Sequence, residues 1–512
     1  MSQAISLIRK PFIRLHPQDD VLIAIRPLSA QSTLHDEGRP IEVKQPITPG
    51  HKIATRSIAA GSPVRRYNQI IGFAKQAIEA GEHVHTHNLG FEMFDRDYAI
   101  GQDCRPTLFT SDAQFMGYLR PDGRVATRNY IGVISTVNCS ASVSKFVASH
   151  FTPERLANYP HVDGVVPITH ASGCGMDSNG EGIDLLRKTI AGYARHPNFA
   201  GVVIIGLGCE ANQMDALFMS QGMDESALLK AFVIQSSGGS RKTTEEAVKA
   251  VEAMLPAAND QRRQALSAAH LCVGLQCGGS DGYSGITANP ALGAACDQLV
   301  AQGGTVILSE TPEIYGAEHL LTQRAVSEAV AQKLIARIRW WEAYTEKHQG
   351  SMDNNPSPGN KAGGLTTILE KSLGAVAKAG STNLTEVYEY ADAVSAKGFV
   401  FMDTPGYDPV SATGQVAGGA HLICFTTGRG SVYGCKPAPS IKLATNSNLY
   451  RRMQEDMDIN CGDIVDDDVP VAEKGKAIFE LMLRVASGEK TKSEALGMGN
   501  DEFVPWQLGA VM

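Results

Sequence analysis

Four apolar runs in this chain share one pattern, and that pattern limits the fold. "YIGVIST" leads into Val137-Asn138-Cys139, "VDGVVPITH" into Ala171-Ser172-Gly173-Cys174, "GVVIIGLG" into Cys209-Glu210, and "LCVGLQ" into Cys277-Gly278-Gly279. Each run is continuously apolar and rich in β-branched residues instead of alternating with polar ones. Such a strand is buried on both faces, as in a parallel sheet covered by helices. Helical stretches between the runs complete the rhythm of an α/β fold. In an open parallel sheet, ligands bind beyond the carboxyl ends of the strands, so residues just past those ends converge although far apart in sequence. Three further runs stop in the same way: "GGTVILSE" at Glu310, "GFVFMDTPG" at Asp403 and "HLICFTTGRG" at Arg429.

At 512 residues the chain exceeds one ordinary core and divides into two to four domains. Residues 19 to 88 have a different texture, with short β-branched runs punctuated by glycine, as in "DVLIAIRPL", "GHKIATRSIAAGSPV" and "GEHVHTHNL". That is the pattern of a small β-rich module. The expected organisation is a β-rich domain over 1–90, a linker without periodicity over 91–112, a central α/β catalytic domain over 113–390 and a C-terminal α/β domain over 391–512. "GSMDNNPSPGNKAGG" (350–364) marks a break where Pro and Gly interrupt regular structure, and "GKAIFELMLRVASGEK" reads as an amphipathic helix.

Composition narrows the partners. The net charge is −8, from 46 Lys+Arg against 54 Asp+Glu, with no basic block, which argues against nucleic acid or an anionic membrane. No apolar run approaches the roughly 18 to 20 residues of a membrane span, and the N-terminus has no apolar segment followed by a small-residue cleavage site. A cytoplasmic location is expected, and self-association of the chain stays open. Ten cysteines in such a chain do not imply a disulfide framework; they leave metal ligation, catalysis or burial. One cysteine taken alone is ordinarily a small buried hydrophobe. Four at equivalent strand ends favour a shared metal site at Cys139, Cys174, Cys209 and Cys277, because thiolate and imidazole suit iron or zinc.

The loop "GLQCGGSDGYSGITANP" (274–290) is the densest candidate for binding. Gly278 and Gly279 let backbone N–H groups approach an anion. Ser280, Asp281, Thr287 and Asn289 add more hydrogen-bonding groups than a turn requires. Asn360 and Lys361, and Arg429, lie in two companion loops that offer counter-charge. His83, His85 and His87 alternate at i, i+2 and i+4, so a strand would present all three on one face, as a metal or substrate edge or as inert surface. A competing reading is that "GLGCEA" (206–211) fits a dinucleotide-binding fingerprint of an NAD-dependent oxidoreductase. The acidic ribose partner that this fingerprint expects is missing, since the next strand ends at Gln235.

The blocks "GYLRPDGRVATRNYIGVISTVNC", "THASGCG", "IGLGCEANQ", "LQCGGSDGYSGITANP", "NPSPGNKAGG" and "FTTGRGSVYG" together resemble the signatures of the altronate/galactarate dehydratase family. The N-terminal pattern resembles the SAF domain that precedes the catalytic part in that family. The resemblance implies a hydro-lyase that converts a sugar acid to a 2-keto-3-deoxy acid, with ferrous iron or an iron–sulfur cluster as cofactor. "GEHVHTHN" points to altronate, with galactarate as the alternative; a non-catalytic sugar-acid-binding protein is the alternative of another class. Carried onto this chain, the chemistry assigns His170, Asp281 and Glu310 to catalysis. It assigns Arg128, Asn129, Lys361 and Arg429, with His85 and His87, to gripping carboxylate and hydroxyls.

Overall fold

The computed structural model describes residues 10–94 and 96–511; residues 1–9, which the sequence reading puts in the β-rich domain, lie outside them. Residues 12–90 form small antiparallel sheets, the largest ordered Phe12–Ile13, Val21–Ala24, Lys52–Ala54, His83–Val84. Glycines close the turns: Gly50 and Gly81 both have positive φ, and a Cβ on Gly81 would meet Glu42 O at 1.8 Å. Between Gly90 and Gln114 the described residues form neither strand nor helix.

Two parallel sheets follow. The first holds β1 (Tyr130–Ser135), β2 (Gly164–Ile168), β3 (Phe199–Gly206) and β4 (Leu229–Val233) in the order β2-β1-β3-β4. The second holds β5 (Cys272–Cys277), β6 (Thr305–Leu308), β7 (Leu384–Tyr388), β8 (Gly398–Met402), β9 (Leu422–Thr427), β10 (Ser440–Ala444) and β11 (Ile459–Asn460). Its order is β7-β8-β6-β5-β9-β10-β11, parallel throughout. The continuously apolar runs are strands because both faces are covered. Ile131 and Val133 of β1 enter one core with the helix Ser240–Asp260, whereas Tyr130 and Ile134 enter another, which they share with Ile307, Val400 and Ile423 of the second sheet. Each such fully buried aliphatic side chain contributes roughly 1.5–3 kcal/mol.

The expected boundary at 390/391 falls inside a sheet: β7 pairs with β8 in parallel register, Val387 opposite Phe401. The two α/β units meet instead near residue 260, where Arg263–Ser267 pairs with Gln114–Leu119. Texture breaks mark surface loops, and loops join strands of one sheet as readily as they join domains. The 350–364 break likewise contains a short helix, Pro358–Ala362. Pro358 stands in its first turn, where a missing N–H costs nothing, and Ser357 and Asn360 form a capping box. Among the described residues, no helix is long and apolar enough to cross a membrane.

Candidate active site

The second sheet reverses its strand order at β5. The chain leaves β5 for β6 on one side and later returns to place β9 on the other, so Cys277 and its register partner Thr426 flank the switch point. Ligands in open parallel sheets bind at such a reversal. Here it holds a buried charge cluster. The Cys277 thiol lies 3.6 Å from Glu310 Oε2 and 3.4 Å from Glu313 Oε2. Lys378 donates to Glu310 Oε2 at 2.8 Å, and Lys371 donates to Glu313 Oε1 at 2.6 Å. All five side chains are buried.

The electrostatics follow from that burial. Burial, then Glu310, pushes the Cys277 thiol up, so it keeps its proton. Burial also raises Glu310, opposed by Lys378, and raises Asp408 well above the carboxylate range, helped by Glu310 and Glu313. Burial works against charge on Lys371 and Lys378, yet both are raised, by the carboxylates of Glu313 and Glu310 that they bind. Glu310 sits at φ +67°, the left-handed region, with its N–H donated to Thr404 Oγ1 at 2.9 Å. A non-glycine residue held there costs of order 1–3 kcal/mol, and such strain clusters at functional sites. Its Oε1 has no hydrogen-bond partner among the described residues, and neither do Thr426 Oγ1 and Asn289 Oδ1. Buried polar atoms are rarely left so, which marks the cluster as the wall of a ligand site. A small cavity runs from Cys277 and Lys371 past Asn289 to Arg66 and Tyr67.

The 274–290 loop lines this cavity, but its polar residues are largely committed to holding it in place. The Asp281 carboxylate accepts from Tyr283 N, Ser284 Oγ and Thr445 Oγ1 on one oxygen and from Asn446 Nδ2 on the other. It pins the loop to the end of β10 rather than acting as a free base. Thr287 donates to Thr445 O at 2.7 Å, and Asn360 Nδ2 donates to Ser280 O at 2.8 Å. The Gly278 N–H is taken by Thr426 O, not offered to an anion. Gly278 is required for another reason, since a Cβ there would come within 2.4 Å of Asp408 Oδ2. Gly279 has φ +61°, and its carbonyl takes the N–H groups of Gly428 and Arg429. Asn289 remains a wall of the cavity, its Nδ2 donating to Gly374 O. Lys361 is half-buried and Arg429 exposed.

The β-rich domain closes one side of the site. Lys52 and Arg66 both pair with Glu370, at 2.9 and 2.6 Å, with all three side chains buried. Lys52 also donates to Gly364 O, and Arg66 to Gly282 O, which joins the domain to both loops. Just before the strand that carries Lys52, His51 meets His83 and His85. The antiparallel register that sets Ile53 opposite His83 places His51 opposite His85 when extended by one step. His51 Nδ1 lies 3.0 Å from His83 Nε2, and burial with the neighbouring cations lowers His83 to about 3 and His85 to about 4. His87 is exposed, with its ring 5.7 Å from that of His83.

The other sheet separates residues that the sequence reading had joined. Cys139, Cys174 and Cys209 do lie on neighbouring loops: Asn138 N donates to Ser172 O, and Asn212 N donates to Gly173 O. All three are exposed at the edge of the first sheet, whereas Cys277 is buried at the edge of the second, so the four do not form one site. Arg128 and Asn129 precede β1 and therefore stand at the amino edge, opposite to where ligands bind. Arg128 is paired with Glu494 at 2.8 Å and donates to the carbonyls of Val485 and Glu489. Asn129 bonds Arg120, His161 and Ala258. In the "GLGCEA" loop, the Glu210 carboxylate itself accepts from Leu207 N at 3.1 Å and Gly208 N at 2.5 Å, filling the place a dinucleotide's pyrophosphate would need.

His170 is likewise structural. Its Nδ1 accepts from Ser172 N and its Nε2 faces Ser135 O at 3.1 Å, which leaves no lone pair for proton abstraction. Burial lowers it to about 4, and burial likewise lowers His196 to about 3 and His421 to about 4. A histidine whose folded pKa lies below the unfolded value of about 6.5 stabilises the fold fully above that pH and loses its contribution as pH falls towards the folded value. The midpoint of urea unfolding is therefore expected to drop steadily between pH 6.5 and 4.5. A midpoint that stays level across that range contradicts neutral burial of these three rings.

Lys371, Lys378, Glu313, Asp408 and His51 escaped the sequence reading. One signal was available: "ILEKSLGAVAKA" embeds charges in an apolar helical stretch, and every residue of the helix Ile368–Val376 is buried.

Comparison with known proteins covers nearly the whole chain. Residues 10–92 match the altronate/galactarate dehydratase SAF domain, 117–259 the D-galactarate dehydratase/altronate hydrolase second domain, and 268–511 the D-galactarate/altronate dehydratase C-terminal domain. An altronate dehydratase of Bacillus subtilis (strain 168) is 36% identical over 488 residues, 95% of this chain and 97% of the relative. A galactarate dehydratase (L-threo-forming) of Escherichia coli (strain K12) is 36% identical over 502 residues, 96% and 95%. The (2R)-sulfolactate sulfo-lyase subunit beta of Chromohalobacter salexigens is 31% identical over 399 residues, 77% of this chain and 97% of the relative.

Proposed function

This chain belongs to the altronate/galactarate dehydratase family of carbon–oxygen hydro-lyases, and on that premise we propose that it dehydrates altronate to a 2-keto-3-deoxy sugar acid. The observation that carries the site is the buried cluster of Cys277, Glu310, Glu313, Lys371 and Lys378 at the switch point, with Glu310 Oε1 unpartnered among the described residues. The unpartnered Oε1 of Glu310 takes the proton next to the substrate carboxylate; that proton is weakly acidic, and its removal concentrates negative charge on the carboxylate oxygens. Fixed positive charge in a water-poor site stabilises that charge far more than it would in water. Lys371 faces the cavity and Glu313 holds it protonated, so it serves the developing enolate. The departing β-hydroxyl needs a proton. Cys277 and Asp408, both kept protonated by burial, stand beside that lysine as donors.

Ferrous iron is the cofactor that the resemblance implies, and two donor sets bring three ligand atoms within 4.8 Å of one another: Cys277, Glu310 and Glu313, and His51, His83 and His85. In the first set both carboxylates already bind lysine ammoniums and the thiol is protonated, so a dication would have to displace two cations. The imidazole set has no such competitor and fits a borderline metal. When bound, iron supplies a Lewis acid. A panel of sugar acids assayed anaerobically with ferrous iron tests the function. Altronate is expected to yield 2-keto acid with kcat/KM about tenfold or more above galactarate. Preference for galactarate overturns the substrate, and no 2-keto acid from any member overturns the reading.

A further inference from the structure

We infer that His51, His83 and His85 form a binding site for one first-row divalent cation at the seam between the β-rich domain and the second α/β domain, leaving coordination positions for a chelating hydroxycarboxylate. The ligand part rests on the dehydratase reading; the metal part stands on geometry. One nitrogen from each ring lies within 4.8 Å of the other two. The ring centroids of the three residues are 5.1, 5.1 and 5.2 Å apart. A stabilising cluster of neutral imidazoles would pair each nitrogen with a partner, yet His85 Nδ1 is buried and has none among the described residues. Three imidazoles around an open position is a common arrangement for a catalytic divalent metal.

The surroundings also suit ligation. His51 Nε2 faces the Ala362 carbonyl at 3.4 Å. A ring nitrogen donating to a backbone carbonyl leaves the other nitrogen with its lone pair, which is the second-sphere contact that orients metal-binding histidines. Asn88, fully buried, donates to His83 O and accepts from His85 N, and so clamps the two histidines on one short turn. Next to the rings, Lys52 is paired with Glu370, so the two charges offset each other. A dication added there favours an anionic ligand at its remaining positions, and the carboxylate and hydroxyl of a sugar acid supply one. Ala362 is flanked by Lys361 and leads to Gly363, whose carbonyl accepts from Gly282 N, so the loop that takes His51 is tied to the loop lining the cavity.

Cobalt(II), titrated anaerobically into the full-length protein, tests the site through its visible absorption bands and by calorimetry. One equivalent is expected to bind, and His83→Gln and His51→Gln are expected to weaken it by about 100-fold or more. Cys277→Ser and the triple variant Cys139→Ser/Cys174→Ser/Cys209→Ser are expected to keep it. Thermal unfolding of each variant without metal checks that the fold is retained. Cobalt bound as tightly by a folded His83→Gln variant, or lost only with the cysteines, overturns the site. If sugar acids are dehydrated while the histidine variants bind cobalt normally, the site fails and the function stands. If cobalt depends on the histidines but no sugar acid reacts, the metal site stands, and the function and the hydroxycarboxylate ligand fail.

Discussion

Replacing Lys371 with alanine is expected to lower kcat by about 10³-fold with little change in KM, the signature of an interaction that strengthens only in the transition state. Lys371 reaches the cavity beside Cys277, and its ammonium is held by Glu313 at 2.6 Å. Alanine also strands Glu313 as a buried unpaired carboxylate, so a loss of stability accompanies the loss of turnover. The double variant Lys371→Met/Glu313→Gln separates the two, because it removes both charges and keeps most of the volume. It is expected to recover much of the melting temperature while turnover remains as low as in Lys371→Ala. Turnover restored along with stability would show that the lysine only holds the core together.

The second large effect concerns docking of the β-rich domain. Glu370→Ala leaves Lys52 and Arg66 buried without a counter-charge, and breaking a buried ion pair in this way costs about 3–5 kcal/mol. Burial opposes the charge on Glu370, yet the two cations hold it down to about 2, so the carboxylate is ionised throughout the physiological range. Urea unfolding of Glu370→Ala is expected to show an early transition, and protease is expected to cut more readily in the 91–112 connection. The triple variant Lys52→Met/Arg66→Met/Glu370→Leu should regain stability, since an apolar replacement of a buried ion network is often neutral or better. A Glu370→Ala midpoint within error of the parent would mean that apolar packing alone docks the domain.

Much of the architecture was legible before any coordinates. Continuously apolar β-branched runs report burial on both faces, a property local enough to survive in sequence; β1, β3, β5 and β9 lie where "YIGVIST", "GVVIIGLG", "LCVGLQ" and "HLICFTTGRG" place them. Glycine-punctuated short runs marked out the β-rich domain for the same reason, and Glu310, just past β6, stands in the charge cluster. Which strand edges face one another was not legible, because sheet order depends on long-range pairing that leaves no local pattern. The four cysteines occupy equivalent places in sequence, yet three belong to the edge of one sheet and Cys277 to the edge of the other. Partners distant in sequence were equally invisible. Asp281 is indistinguishable from a catalytic acid until Thr445 and Asn446 are seen to hold it, and Arg128 from a substrate clamp until Glu494 is. His51 joined His83 and His85 only through the antiparallel register of two short strands. Residue chemistry and local burial are written along the chain; which charges meet is decided by the packing that brings distant segments together and removes the water between them.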